Sequence, residues 1–200
     1  MKLVIIDYGS GNLKSVENAF YNSIRDNNLN FNIEVTSELK SIIKADFIVL
    51  PGVGSFPDCK EGLKKKQGLI EILIDQVISK QKPFLGICVG MQLMAENSLE
   101  KVNTKGFCWF KGSIEKINNV GKDYLGRDFK IPHMGWNNLE ISKHGHPVLK
   151  NITQKVLKDM VAKDPVFKKV YESQEVFKEQ IKKYHKISEQ SYYQAREIKN

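Results

Sequence analysis

Leu85-Gly86-Ile87-Cys88-Val89-Gly90-Met91-Gln92 sets one thiol between glycines two residues before it and two after. The apolar run Pro83–Ile87 reads as a buried strand, and Gly90–Ser98 as a helix. A cysteine at such a strand-to-helix corner is the thiol form of a nucleophile elbow, in which a sharp turn exposes the reacting side chain. Glycines permit the turn and let neighbouring backbone come close. The helix presents its positive end to the sulfur and so favours thiolate. The Val89 N–H faces the place where an oxyanion develops. A buried structural cysteine in a glycine-rich turn is the plainer alternative, weakened by the strand before and the helix after.

A second glycine turn, Pro51-Gly52-Val53-Gly54, follows another apolar run, Phe47–Leu50. Beside a nucleophile its N–H groups serve as oxyanion donors; in isolation the same residues are a tight turn. Cys59 and Cys108 have no comparable setting and are expected to be packed, Cys108 between Phe107 and Trp109. Three cysteines without a C-x-x-C spacing point away from a disulfide framework or a zinc site. No cofactor or metal is expected.

These corners need elements to hold them. Lys2–Asp7 and Ile33–Thr36 read as further strands. Asn12–Asn22, Ser37–Lys44 (capped by Ser37) and Gly62–Lys80 read as helices. Continuously apolar strands alternating with helices predict an α/β fold with an open, flavodoxin-like parallel sheet. Functional groups in such sheets gather at the carboxyl ends of strands, where Tyr8–Asn12, Pro51–Gly54 and Cys88 all fall. After Gly106 the pattern changes to short antiparallel strands over Phe107–Phe110, Ser113–Ile117 and Asn137–Ile141. From about Gln154 it changes again, to a glycine-free stretch of helical character with apolar stripes.

Composition narrows the class. The chain has 200 residues, enough for one domain with a sizeable core. Met1-Lys2 runs straight into Leu3–Asp7, too short for a signal peptide, and no apolar run approaches the ~18–20 residues that span a bilayer. The cytoplasm is therefore the expected compartment. The net charge of +8 raises the question of nucleic acid, yet the longest basic run is Lys64-Lys65-Lys66 and no aromatic-interleaved stripe occurs. Solvated lysine faces are the expected reading, with a basic surface for an acidic partner or phosphorylated substrate as the alternative.

Tyr8-Gly9-Ser10-Gly11-Asn12-Leu13, Leu50–Phe56, Gly86–Gln92 and Pro132-His133-Met134-Gly135-Trp136-Asn137 occur in that order. Together they resemble the class I glutamine amidotransferases, and specifically the glutaminase (HisH-type) subunit of imidazole glycerol phosphate synthase, over about residues 1–150. The resemblance implies hydrolysis of glutamine to glutamate and ammonia for histidine biosynthesis. It implies Cys88 as nucleophile, an oxyanion site from Val89 and from the reoriented peptide between Gly52 and Val53, and glutamine-site roles for Gln92 and Glu96. Those two stand four apart on the expected helix, so one polar helix face is their alternative reading. It also implies a (β/α)₈-barrel, HisF-type cyclase as partner, with Asn12, Gly52 and Trp136 on segments facing it. Trp136 as plain core is the alternative. An amidotransferase supplying ammonia for surface saccharides keeps the fold and changes the pathway.

The resemblance stops short of the base. Family members continue with a Tyr-Phe-Val-His-Ser segment and then a His-Pro-Glu segment that supplies the triad His and Glu. The histidines here are His133, His144, His146 and His185, and none is followed by x-Glu. After His146-Pro147 comes Val148, and His185 with Glu189 reads as a helical surface pair rather than a substitute dyad. Loss of such a base removes roughly 10³–10⁶ in rate by analogy with other triads. Val161–Gln174, Phe177 and Ser191–Arg196 instead resemble the C-terminal helices of TRAP-type transporter solute-binding proteins. The expected organisation is thus an incomplete amidotransferase domain over 1–152 and a foreign-looking helical tail over 153–200, with an artificial join or a gene fusion near Ile152–Lys155. A cyclase-binding subunit without catalysis is the corresponding functional alternative.

Overall fold

The structure, a computed structural model, describes residues 1–117 together with Gly121 and Gly126. The expected strand Asn137–Ile141, Trp136, all four histidines, the boundary near residue 152 and the helical tail lie outside the described residues.

Four strands make a parallel sheet in the order β2-β1-β3-β4. They are β1 (Lys2–Ile6), β2 (Asn32–Thr36), β3 (Phe47–Gly52) and β4 (Phe84–Cys88). Side chains alternate across the sheet as strand geometry requires. Val4, Ile6, Ile48 and Leu50 face one apolar layer, while Leu3, Ile5 and Val49 face the other. Helix α1 (Leu13–Asp26) covers the second layer through Leu13, Val16 and Phe20. Helices α2 (Leu39–Ile43), α3 (Phe56–Lys64) and α4 (Leu69–Ile74) cover the first through Ile42, Phe56, Leu63, Leu69 and Leu73. Each such large side chain, fully buried, contributes on the order of 1.5–3 kcal/mol relative to exposure. The open parallel α/β sheet expected from the apolar runs is therefore present.

The helices differ from expectation for local reasons. Ser37 does not cap α2: Glu38 holds the N-cap position without a side-chain cap bond, and the Thr36 hydroxyl accepts the Glu38 N–H at 3.0 Å. The single helix expected over Gly62–Lys80 is broken. Gly68 takes φ +77°, a left-handed conformation that favours glycine, between the end of α3 and the start of α4. Beyond α4 the helix widens into a π-turn over Asp75–Ser79. Helix α3 begins earlier than expected because Ser55 caps it, its Oγ accepting the Asp58 N–H at 3.4 Å and its hydroxyl donating to the Asp58 carboxylate. Asp58 is held below the usual carboxylate range, chiefly by that hydroxyl and then by Lys101.

After β4 come α5 (Val89–Gln92) and a small sheet of β5 (Asn97–Ser98), β6 (Thr104–Lys105) and β7 (Ser113–Ile114), in the order β6-β5-β7. The expected strand Phe107–Phe110 is not a strand. Its N–H groups bond instead to carbonyls of Leu93, Met94 and Ala95. The expected strand Ser113–Ile117 is reduced to β7, which pairs parallel rather than antiparallel with β5. Cys108 is exposed, not packed as expected: φ +58° turns its side chain outward while Phe107 and Trp109 stack at 4.9 Å. Cys59 is buried in the core, as expected.

The tightest contact in the fold tests this arrangement. A Cβ on Gly90 would lie 1.8 Å from the Leu50 carbonyl oxygen, a backbone atom of β3 that cannot step aside. Gly90→Ala is expected to destabilise the protein by about 3 kcal/mol or more, read as a shift of the urea midpoint. An unchanged midpoint would show that α5 does not lie against β3.

Candidate active site

Cys88 is the last residue of β4 and the N-cap of α5, with φ 55° and ψ −116°. A non-glycine residue in that region costs on the order of 1–3 kcal/mol and persists only where its surroundings enforce it. Here they do. Gly52 of β3 is the register partner of Cys88, and Leu50 that of Gly86. A Cβ on Gly86 would meet Met91 Cα at 2.6 Å, and one on Gly52 would meet the Gly90 N at 2.7 Å. Elbow and neighbouring strand thus touch backbone to backbone, and Cys88 is left exposed at the carboxyl end of the sheet. Among the described residues the Val89 N–H has no hydrogen-bond partner. Helix α5 is a single turn of four residues, shorter than the expected Gly90–Ser98.

The second turn lies beside this corner by register, since β3 ends at Gly52 next to Cys88. Its backbone is held from the far side. Tyr8 Oη donates to the Pro51 carbonyl at 2.8 Å. The Ser10 hydroxyl donates to the Val53 carbonyl at 2.7 Å, and Ser10 Oγ accepts the Val53 N–H at 3.1 Å. Cys59 Sγ donates to the same Val53 carbonyl at 3.4 Å. The Val53 N–H is therefore engaged with Ser10. To serve an oxyanion the Gly52–Val53 peptide must rotate and break that bond. Tyr8 and Ser10 are residues whose roles the motif alone does not reveal. The available signal is a tyrosine at a strand end, which needs a polar partner once buried. Burial, with the adjacent Cys59 thiol adding to it, pushes the Tyr8 phenol well above its ordinary range.

Gln92 closes α5, four residues after Cys88. Glu96 does not continue that helix, so the two do not share a helix face as expected. The carbonyls of Leu93, Met94, Ala95 and Glu96 bond across to the 106–110 segment instead of propagating the helix. The Glu96 carboxylate accepts the Gly112 N–H at 3.0 Å, which gives it a structural task in that turn. Asn12 lies outside α1 rather than in it. It caps the helix through Oδ1, which accepts the Ser15 N–H at 3.2 Å, and it remains exposed. Trp136 lies outside the described residues. No group of three or more His, Cys, Asp or Glu capable of holding a metal occurs among the described residues, and no helix there is long and apolar enough to cross a membrane.

An exposed thiol on a strained elbow, with a backbone N–H behind it that has no partner among the described residues and a glycine turn in register, is the apparatus of acyl transfer from an amide or ester. The family description "Glutamine amidotransferase class-I" matches residues 4–197, and the chain belongs to that family. Among its relatives are proteins named imidazole glycerol phosphate synthase subunit HisH. The one from Brucella abortus (strain 2308) is 44% identical over 152 residues, covering 76% of this chain and 68% of the relative. Those from Mesorhizobium japonicum and Rhodospirillum rubrum are 43% and 40% identical over the same length, 76% of this chain and 68% and 69% of theirs. The resemblance of the tail to transporter solute-binding proteins finds no support in these comparisons.

Two measurements probe the held turn. Ser10→Ala removes the acceptor of the Val53 N–H, so amide exchange at Val53 is expected to accelerate roughly tenfold, the weight of one lost hydrogen bond. Unchanged exchange would mean that Ser10 does not hold the turn. For Tyr8, a folded-state pKa above the unfolded value near 10 means that the folded protein keeps its phenol proton longer. Its contribution to stability is complete below about pH 10 and is lost as pH rises further. Denaturation midpoints taken from pH 8 to 11 should fall more steeply for the native sequence than for Tyr8→Phe.

Proposed function

We propose that this chain is the glutaminase subunit of an imidazole glycerol phosphate synthase. It hydrolyses glutamine to glutamate and ammonia, which passes to a (β/α)₈-barrel, HisF-type cyclase in histidine biosynthesis. The pair acts as a cytoplasmic heterodimer, with hydrolase chemistry in one subunit and lyase chemistry in the other. The observation that carries the proposal is the placement of Cys88: an exposed sulfur on an enforced elbow, with Gly52 beside it in register. Identity of 40–44% to relatives of that name supports the pathway.

In the proposed reaction the Cys88 thiolate attacks the side-chain amide carbon of glutamine, and the carbonyl electron pair moves to oxygen. The Val89 N–H, joined by that of Val53 after the peptide turns, receives this charge. The amide nitrogen takes a proton and departs as ammonia. Water then adds to the glutamyl thioester, releasing glutamate and the thiol. Gln92, one helical turn after Cys88, is proposed to line the glutamine site, and Glu96 to support it through the turn it holds. Asn12 and Trp136 are proposed to face the cyclase.

Two proton transfers in this sequence call for a base, and no histidine of the chain is followed by x-Glu. That supports a second, narrower reading in which the subunit docks on its cyclase yet turns over glutamine slowly, roughly 10³–10⁶ below a complete triad. The boundary proposed near residue 152 marks where the family segments bearing that base give way to the tail.

A glutamine-mimicking diazoketone tests the nucleophile independently of turnover. The expected outcome is a single mass addition on the peptide carrying Cys88, absent in Cys88→Ser. Labelling on Cys59 or Cys108 alone would remove Cys88 from the mechanism. Glutaminase assays with the cyclase then separate the two readings. Fast, cyclase-stimulated hydrolysis abolished by Cys88→Ser would refute the slow-turnover reading, and a trace rate would uphold it.

A further inference from the structure

A cleft of about 420 Å³ opens beside the second half of α3, lined by Lys60, Lys64, Asn103, Thr104, Lys105 and Gly106. That volume lies in the size range of small-molecule sites, about 300–1,000 Å³. None of these residues belongs to the elbow or to the glycine turn. The lining carries three ammonium groups and no carboxylate. Lys60 is buried, 8% exposed, and spends one donor on the Gly106 carbonyl at 3.1 Å while its ammonium rests over the Phe107 ring at 4.5 Å. Two of its three N–H donors are left over. Lys64 stands four residues on, on the same face of α3, and Lys105 faces them from β6. Asn103 uses its carbonyl oxygen on the Asn97 amide at 3.0 Å, which leaves its own amide N–H groups to donate. The Thr104 hydroxyl donates to the Val102 carbonyl at 3.0 Å.

The polar groups are thus nearly all donors, around one desolvated positive charge. Among the described residues Lys60 forms no ion pair. A buried ammonium without a carboxylate is costly and calls for a counter-charge. Burial, then the charge of Lys64, and more weakly that of Lys105, hold the Lys60 ammonium below its ordinary range, while Cys108 and, less, Glu71 oppose them from outside the lining. Three converging cations repel one another, and an anion seated between them relieves the repulsion and uses the idle donors. Lysines meet phosphoryl groups as point charges, and several donors converging on one tetrahedral group suit its oxygens.

We propose that Lys60, Lys64, Lys105 and Asn103 form a binding site, separate from the Cys88 corner, for a phosphoryl anion. Free phosphate and a phosphate monoester present the same group. The whole chain is titrated calorimetrically with inorganic phosphate and, separately, with glycerol phosphate, at fixed ionic strength set by chloride. Saturable binding of either supports the site; a tighter monoester marks a phosphorylated metabolite, and a tighter phosphate the free ion. Lys64→Gln with Lys105→Gln, both exposed positions, is expected to weaken binding roughly tenfold or more through two lost charge-assisted hydrogen bonds. Lys60→Met tests the buried cation, and the exposed pair keeps the proposal testable if that variant fails to fold. Absence of saturable binding, or binding unchanged in the double variant, would overturn it.

Discussion

Backbone contact between β3 and the Cys88 corner is the constraint on which the site depends. Gly52, Gly86 and Gly90 leave no room for a Cβ, and the nearest obstacles are mostly main-chain atoms. Those contacts hold Cys88 at a backbone angle it would not choose. The strain is local and the enforcement is distributed. Leu50, Val49 and Ile48 of β3 are all buried, so the strand that presses on the elbow is anchored along its length. A cysteine at the exposed end of a flexible loop would have no fixed relation to an oxyanion donor. Here the register of a parallel ladder supplies that relation.

The turn after β3 shows how the same scaffold keeps one peptide adjustable. Pro51 is fixed through its carbonyl to Tyr8, and Val53 through both of its backbone groups to Ser10. Both holding residues come from the segment that follows β1, the neighbour of β3 in the sheet. The Gly52–Val53 peptide lies between a buried anchor and an exposed latch. The latch is a single hydroxyl making two hydrogen bonds, net about 0.5–1.5 kcal/mol each. Such a margin is small enough for substrate or partner to overcome and large enough to set the resting orientation. Tyr8 contributes differently, because a buried phenol that lost its acceptor would bear the full cost of desolvation.

Legibility followed the kind of interaction involved. Strands β1, β3 and β4 were readable as short, largely apolar runs bounded by turn residues, β2 by its β-branched Ile33, Val35 and Thr36, and the elbow because its glycine spacing has a steric cause. Cys88, Gly52 and Val89 came together as their strand ends implied. Glu96 was misplaced on a helix. Its neighbours Leu93–Ala95 have the composition of a helix, but their carbonyls bond to a segment more than ten residues away, which local propensity does not register. Cys108 misled for a similar reason: aromatic neighbours suggest packing, yet a left-handed backbone angle turns that one side chain out between two that pack. Tyr8 and Ser10 sit inside a recognisable motif, but their partners, Pro51 and Val53, are 43 residues away.

Holding the sulfur and moving protons are different physical tasks. Among the described residues, the contacts that hold Cys88 in place come from between Met1 and Gly112: the ladder to β3, the three glycines, and the bonds by which Glu96 and Leu93 bind the following turn. They are mainly backbone and packing contacts. The backbone that builds the perch does no proton transfer. Catalysis requires such a transfer. Departing ammonia needs a proton that the backbone cannot give. Under the proposed function, the described residues set where the reaction takes place and which oxyanion donors attend it. Its rate depends as well on the proton transfers that accompany it.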